Sequence, residues 1–412
     1  MTELPFLLGL LLALALLLRM DFVFYVVYVL AGVWLLARWA TPRSLGRLEV
    51  RREFTDHAFL GETVEVTLRL RNLGRLPVPW LRVVETLPIA LAAGGQLRRA
   101  LSLRPREETT VRYALRCVRR GYYPIGPLQL TGGDLFGFAQ AQARSEGADY
   151  LTVYPRIVPL ARADLPSQLP FGALASPQRM FEDPARMRGV RTYQPGDSLR
   201  RIHWKASAHS DDLLVKQLSP AISLETLLLL DLNQAEYSRQ RGLDAAEWAI
   251  VVAASLAVYL EQARQAVGLA VYGADGSPAE AAVRLPPPLP PRPGRPHLMK
   301  VLSQLARAEL HPLPEPFAAW APRAAAALGW GATAVAIAPH GDEALCRSLH
   351  TLVRRGLNVA LLIVDPAAEV ASAQRRARSL GFAAFPVTTE RELEQWQARP
   401  RGHSPRQQRS FR

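Results

Sequence analysis

Leu224-Glu-Thr-Leu-Leu-Leu-Leu-Asp231 is an almost unbroken apolar run closed by a single acid. A strand wetted on one face alternates in polarity, whereas a continuous run is expected when both faces are buried, as in a parallel sheet. The chain beyond it keeps a strand–helix rhythm. A helix is predicted from about Asp244 to Arg264, a strand at 267–273, helices near 297–308 and 316–328, and a strand at 332–338. A helix at 342–355, a strand at 358–364, a helix at 367–380 and a last strand at Phe382–Val387 follow. Strands alternating with helices imply an α/β domain with a doubly wound parallel sheet over residues 223–390. Within it, Pro286–Pro296 is too rich in proline for regular structure and reads as a stiff surface loop. Residues 391–412 form a basic tail. Its last stretch, Arg399–Arg412, carries five arginines and no acid, a composition suited to touching anionic lipid or nucleic acid.

Upstream of the apolar run the pattern changes. Glu62-Thr-Val-Glu-Val-Thr-Leu-Arg-Leu-Arg71 alternates with period two, as a half-buried strand does. Asn72-Leu-Gly74 makes a turn, and further short strands are predicted at 80–86, 110–118, 127–131 and 150–154. Residues 48–155 therefore read as a small antiparallel, Ig-like β-sandwich. Residues 156–222 read as irregular except for one dense segment near their end. There, Gln194-Pro-Gly-Asp197 has the composition of a type II turn, and Asp197 is placed to cap a helix starting at Ser198.

The N-terminus, residues 1–40, reads as a transmembrane helical hairpin. Residues 4–18 carry no charge, Arg19-Met-Asp21 interrupts, and a second apolar run extends from Phe22 to Ala37. A spanning helix needs about 20 apolar residues, so the first run is short and leans on snorkelling and local thinning. A cleaved signal peptide fits less well, because no basic residue precedes the run. The turn holds one Arg and one Asp. Arg38, Arg43, Arg47, Arg51 and Arg52 follow the second run against only Glu49 and Glu53. Arginine excess marks the cytoplasmic side, so both termini and the soluble domains are expected in the cytoplasm, with Trp34 and Trp39 at the interface.

At 412 residues the chain is long enough for two or three domains, and 49% hydrophobic content allows real cores. Net charge is +14, and all but three of its 50 basic residues are arginine. Such a surface favours anionic partners without choosing among them. Cys117 and Cys346 stand far apart with no ligand spacing, which argues against a disulfide framework or a zinc site.

The dense segment is Arg191-x-Tyr193-x-Pro195-Gly196-Asp197-x-x-Arg200-x-Ile202-x-Trp204-Lys205-x-x-Ala208. Together with Arg120-Gly-Tyr-Tyr-Pro-Ile-Gly126, Asp134-Leu-Phe-Gly137 and Val153-Tyr-Pro-Arg156, it resembles the bacterial family known as domain of unknown function 58. The order of parts resembles that family over nearly the whole chain. The resemblance implies that the α/β domain is von Willebrand factor A-like. It further implies an accessory or adaptor protein working with a MoxR-type AAA+ ATPase in protein assembly or maturation at the cytoplasmic membrane. Other von Willebrand A or transglutaminase-like membrane proteins are implied as further partners, and no enzymatic activity is implied.

Von Willebrand A domains often hold Mg²⁺ through an Asp-x-Ser-x-Ser loop. Here the corresponding loop is Asp231-Leu-Asn-Gln-Ala235, so Asp231 remains, Asn233 and Ala235 replace the serines, and an alanine cannot ligate. The loop after the 332–338 strand reads Ala338-Pro-His-Gly-Asp342. The site is expected to be degenerate, with no metal and no cofactor. Asp197 and His203 are the one conceivable acid/base pair, but six residues is poor spacing for one helix face and no nucleophile accompanies them. The expected arrangement is that Asp197 caps, Ile202 and Trp204 pack, and Arg191, Arg200 and Lys205 make a solvated or interaction face, with Tyr193 and Gly196 completing a partner-binding segment. Two alternatives stay open: a membrane-linked hydrolase or transferase using this segment, and a binder of anionic lipid or nucleic acid. No helix-turn-helix, zinc-finger or RNA-binding motif supports specific nucleic-acid recognition.

Overall fold

The computed structural model describes every residue except 1–3, 19–20, 92–96, 146, 161–181, 195–196, 198–201, 211, 221–224, 277–283 and 396–412. Gly196, Arg200 and the basic tail from residue 396 onward thus lie outside the described residues, while its first residues, 391–395, belong to a short helix. Two compact units emerge, one built on Met1–Pro155 and the other on the chain from Arg156 onward.

The first unit begins with helices α1 (Leu4–Leu18) and α2 (Asp21–Leu45), which pack on each other. The second helix runs past the expected end at Ala37. Its apolar stretch stops there, but Ala37, Thr41, Ser44 and Leu45 are buried in the domain that follows, and packing extends the helix through Pro42. Among the described residues, two helices are long and apolar enough to cross a membrane, α2 and Gly242–Gln262, and the latter is mostly buried inside the protein.

Ten strands complete this unit: β1 (Leu48–Glu53), β2 (His57–Phe59), β3 (Thr63–Asn72), β4 (Val78–Glu85), β5 (Leu97–Leu103), β6 (Glu108–Arg116), β7 (Gly121–Ile125), β8 (Leu128–Gly133), β9 (Gln140–Arg144) and β10 (Asp149–Tyr154). They form three small sheets, ordered β1-β3-β6, β2-β10-β7 and β5-β4-β8-β9. The expectation of a purely antiparallel sandwich is corrected in one place, because β2 and β10 pair parallel. In β3 the residues alternate as read, with Val64, Val66, Leu68 and Leu70 all buried. Each such side chain contributes about 1.5–3 kcal/mol by leaving water. Leu68 and Leu70 share a core with Leu45 of α2 and Leu81, Val83, Leu128 and Leu130, while Val64 and Val66 pack with Leu115, Ile125 and Leu151.

One polar network is sealed into this unit. Arg52 bonds both Glu85 and Asp149, and Tyr113 donates to Glu85. The Arg52 and Glu85 side chains are 7% and 0% exposed. Burial opposes the Arg52 charge, but Glu85 and Asp149 more than offset it and its pKa rises. Burial and the neighbouring carboxylate push the Tyr113 hydroxyl up, so it stays protonated as a donor.

The second unit opens with a feature absent from the sequence reading. Residues expected to be irregular form an antiparallel hairpin of β11 (Glu182–Thr192) and β12 (Leu214–Pro220), with a one-turn helix α3 (Trp204–Ser207) in the connection. Then come β13 (Glu225–Asp231), α4 (Gly242–Gln262), β14 (Ala266–Tyr272), β15 (Ala274–Asp275), β16 (Leu289–Arg292), α5 (Arg295–Arg307), β17 (Ala308–Glu309) and α6 (Phe317–Ala324). The last elements are β18 (Thr333–Ala338), α7 (Glu343–Arg354), β19 (Asn358–Ile363), α8 (Val370–Ser379), β20 (Ala383–Pro386) and α9 (Glu390–Gln395).

Six of these strands form one sheet in the order β16-β14-β13-β18-β19-β20, parallel except for β16. Leu227 and Leu229 of β13 pack in one core with Phe317 and Ala321 of α6, Leu349 of α7 and Ala377 of α8. Successive strand residues alternate faces, so Leu228 and Leu230 point to the opposite side, where α4 and α5 cover the sheet. The proline-rich stretch is not simply a loop. Leu289-Pro-Pro-Arg292 is the antiparallel edge strand, a position where missing N–H groups do no harm, and Pro296 opens α5.

Candidate functional site

The dense motif lies on the β11–β12 hairpin and its connection. The Arg191 guanidinium grips Asp197 with two parallel bonds, Nη1 to Oδ2 at 2.8 Å and Nη2 to Oδ1 at 2.6 Å. Asp197 Oδ2 also accepts the Gln194 backbone N–H at 3.0 Å, and the Asp197 N–H returns to the Gln194 carbonyl at 3.0 Å. Asp197 therefore closes a turn and holds it to β11, and it is not the cap of the helix in this segment. That role falls to His203, whose Nδ1 accepts from the Ala206 N–H at 3.0 Å. The central residues of the expected type II turn, 195 and 196, and the expected helix start at Ser198 lie outside the described residues.

Ile202 does not ride on a helix. It forms an isolated bridge with Val215 of β12 and is 4% exposed. Trp204 departs from expectation most: it does not pack, and 67% of it faces solvent. Lys205 beside it is exposed, and Tyr193 is half-buried with its N–H bonded to the Leu213 carbonyl at 2.7 Å. The motif thus spends Arg191, Asp197 and His203 on holding its own backbone and presents an indole. Asp197 is held by Arg191 and Gln194, and His203 Nδ1 accepts from Ala206.

The second candidate lies at the carboxyl ends of the parallel strands. The chain steps from β13 outward to β14 and β16, then returns to β18 on the other side of β13, and such a reversal is where open α/β sheets generally place a crevice. Asp231 ends β13 and is 1% exposed. Its Oδ1 accepts the Asn233 N–H at 2.9 Å, while its own carbonyl accepts the Tyr237 hydroxyl at 2.7 Å. Burial raises the Asp231 pKa well above the usual carboxylate range; the Asn233 N–H pulls it down, and Glu236 and Asp342 add to the rise. His340 Nε2 lies 3.3 Å from Glu236. This contact raises the His340 pKa and lowers that of Glu236.

Asn233, the other residue expected at a degenerate metal site, has its side-chain oxygen taken up by two backbone N–H groups. Its Oδ1 accepts from Leu313 N at 3.0 Å and Ala235 N at 3.3 Å, and its Nδ2 donates to the Glu315 carbonyl at 3.2 Å. The amide ties the loop to residues 313–315 and has no lone pair left for a cation. Asp342 caps α7 through the Leu345 N–H at 2.8 Å. Among the described residues no group of three or more His, Cys, Asp or Glu is arranged to hold a metal. The His340–Glu236 pair went unread in the sequence, since residues so far apart carry no spacing signal.

Residues 189–369 match the family described as "Protein of unknown function DUF58". The chain is 26% identical over 217 residues to the uncharacterized protein YeaD of Bacillus subtilis (strain 168), a match covering 52% of this chain and 52% of that protein. It therefore spans about half the length of the curated relative it matches. Among solved structures, the CARDB domain of the PF1109 protein from Pyrococcus furiosus aligns with 26% of this chain and 91% of its own, at 19% identity and TM-score 0.20. A segment of Escherichia coli alpha-2-macroglobulin aligns with 26% of this chain and 16% of its own, at 22% identity and TM-score 0.22.

Proposed function

We propose that this chain is a membrane-anchored, non-enzymatic adaptor whose β11–β12 hairpin presents Trp204 and Lys205 to a protein partner, a MoxR-type AAA+ ATPase or its substrate. The observation that carries the reading is the division of labour in the hairpin. The charged residues that could do chemistry are consumed in the Arg191–Asp197 clamp, and the residue left at the surface is a tryptophan. A large exposed indole on a braced support is the usual core of a protein-binding hot spot. Asp197 already accepts three hydrogen bonds, which leaves it a poor general base for a hydrolase.

In this proposal the α/β unit is a doubly wound, von Willebrand A-like domain. Its strand order and antiparallel edge strand support that reading, and its metal loop has been converted into a structural tie by Asn233. Helices α1 and α2 form the anchor in this reading, and the arginine excess after α2 supports a cytoplasmic side for the folded units. Affinity purification of the intact chain from solubilised membranes is the test. A MoxR-type ATPase is expected with wild type and lost, with the fold retained, in Trp204→Ala. Failure of any such ATPase to co-purify with wild type, or equal recovery with Trp204→Ala, refutes the reading.

A further inference from the structure

Strand register gathers one end of the β-sandwich around the exit of α2. Leu48 pairs with Asn72, Arg71 with Glu108, Val78 with Leu103, and Gly133 with both Trp80 and Gln140. The same end therefore carries the α2–β1 joint, the β3–β4 loop, the β5–β6 loop and the tip of the β8–β9 hairpin. Buried Asn72 knits three of these, donating from Nδ2 to the Leu76 carbonyl at 2.9 Å and the Arg104 carbonyl at 3.0 Å, while Leu73 N–H bonds the Arg47 carbonyl at 2.9 Å. The fourth is pressed against the helix: at Gly132 a Cβ would stand 3.1 Å from Leu45 Cδ1, a tight approach that glycine leaves open for α2.

This end is greasy and basic at once. Leu135 and Phe136, at the hairpin tip, are 78% and 68% exposed, and Leu73 is 52% exposed. Arg75, Arg104 and Arg106 on the two adjoining loops are also exposed. Just upstream in α2, Arg38 lies over Trp34 at 5.8 Å and Arg43 over Trp39 at 4.7 Å, the pairing of a headgroup-level belt. An apolar tip ringed by arginines beside an interfacial helix end has the chemistry of a surface for anionic lipid.

We propose that the Leu135-Phe136 tip dips into the lipid interface, with Leu73 beside it and Arg75, Arg104 and Arg106 on the headgroups, as a second contact that fixes the sandwich against the bilayer. This rests on α2 lying in the membrane, and the experiment separates the two claims. The full chain is reconstituted in phosphatidylcholine–phosphatidylglycerol vesicles with an environment-sensitive fluorophore at one introduced cysteine. The native Cys117 and Cys346 are buried and do not compete for label. Three positions are labelled: Val29→Cys in α2, Leu135→Cys at the tip, and Arg116→Cys at the far end of the sandwich.

Lipids with a nitroxide just below the glycerol are expected to quench the labels at 29 and 135 and to spare 116. Phe136→Ser, or removal of the three loop arginines, is expected to abolish most of the quenching at 135 while leaving 29 unchanged. Quenching at 29 without quenching at 135 overturns the proposal and leaves the anchor intact, and it is also the result expected if a protein covers the tip instead. No quenching at 29 overturns the anchor itself and the proposal with it.

Discussion

Removing the Glu85 carboxylate is expected to destabilise the sandwich more than any surface change. In Glu85→Ala, Arg52 keeps its charge in a site where 7% of its side chain is exposed, loses one of its two acidic partners, and leaves the Tyr113 hydroxyl without its acceptor. Breaking a buried ion pair from one side costs about 3–5 kcal/mol when the partner is left unpaired, and the retained Asp149 contact places Glu85→Ala toward the lower end of that range. Replacing both members by apolar residues of similar volume, as in Arg52→Met with Glu85→Leu, is close to neutral by comparison. Because the chain has two units and an apolar hairpin, a single melting temperature is a poor measure. Backbone hydrogen exchange in the intact, reconstituted chain resolves the sandwich by itself. At about 1.4 kcal/mol per tenfold, amides of β3, β4 and β8 are expected to exchange roughly 100- to 4000-fold faster in Glu85→Ala. The double variant is expected to recover most of the loss, with α4 and β13 unaffected in both. An acceleration below tenfold in the single variant, or no recovery in the double, refutes the view that the pair matters through its burial.

Three further outcomes follow from the same structure. Asp231→Asn is expected to leave stability at neutral pH unchanged or higher: the folded pKa is raised, so ionisation of this carboxyl works against the fold, and that penalty shrinks as pH falls through the raised value and is gone below the unfolded one. A clear drop in protection of β13 amides would contradict this. For the His340–Glu236 pair the raised imidazole contributes fully below its unfolded pKa and less as pH rises through its folded one. The lowered carboxylate contributes above its unfolded pKa and less as pH falls through its folded one, so the pair is strongest between the two. Glu236→Gln is expected to lower the His340 pKa, read by NMR titration of its ring protons, and an unchanged midpoint would sink the assignment. Gly126→Ala, at φ +95° and with its Cβ 2.8 Å from Arg52 Nη2, is expected to cost about 1–3 kcal/mol in sandwich protection. Protection equal to wild type would show that Arg52 can move aside.

Much of the fold could be read from pattern because the pattern is local. β3 alternates residue by residue, β13 is continuously apolar, and both folded as their periods require. The end of α2 at Leu45 could not be read this way, since Thr41 and Ser44 are held in helix by what they pack against. The β11–β12 hairpin has no clean alternation, and β16 hides behind its prolines, which only an edge position tolerates. At the site, the motif named Arg191 and Asp197 but not their partnership, and it offered Trp204 as a packing residue when the bridge at Ile202 and Val215 leaves the indole outside. The ties that matter most, Arg52 to Glu85, Asn233 to residues 313–315 and Glu236 to His340, join distant positions and leave no trace in spacing.

The seating of Leu45 has a mechanical corollary. Leu45, the last residue of α2, sits inside the hydrophobic core of the sandwich, so the joint between helix and sandwich is a packed contact. A spanning helix answers a thicker or thinner bilayer by changing its tilt. In the proposed anchored state, a change in that tilt would be passed to the sandwich through Leu45 instead of being absorbed in a linker.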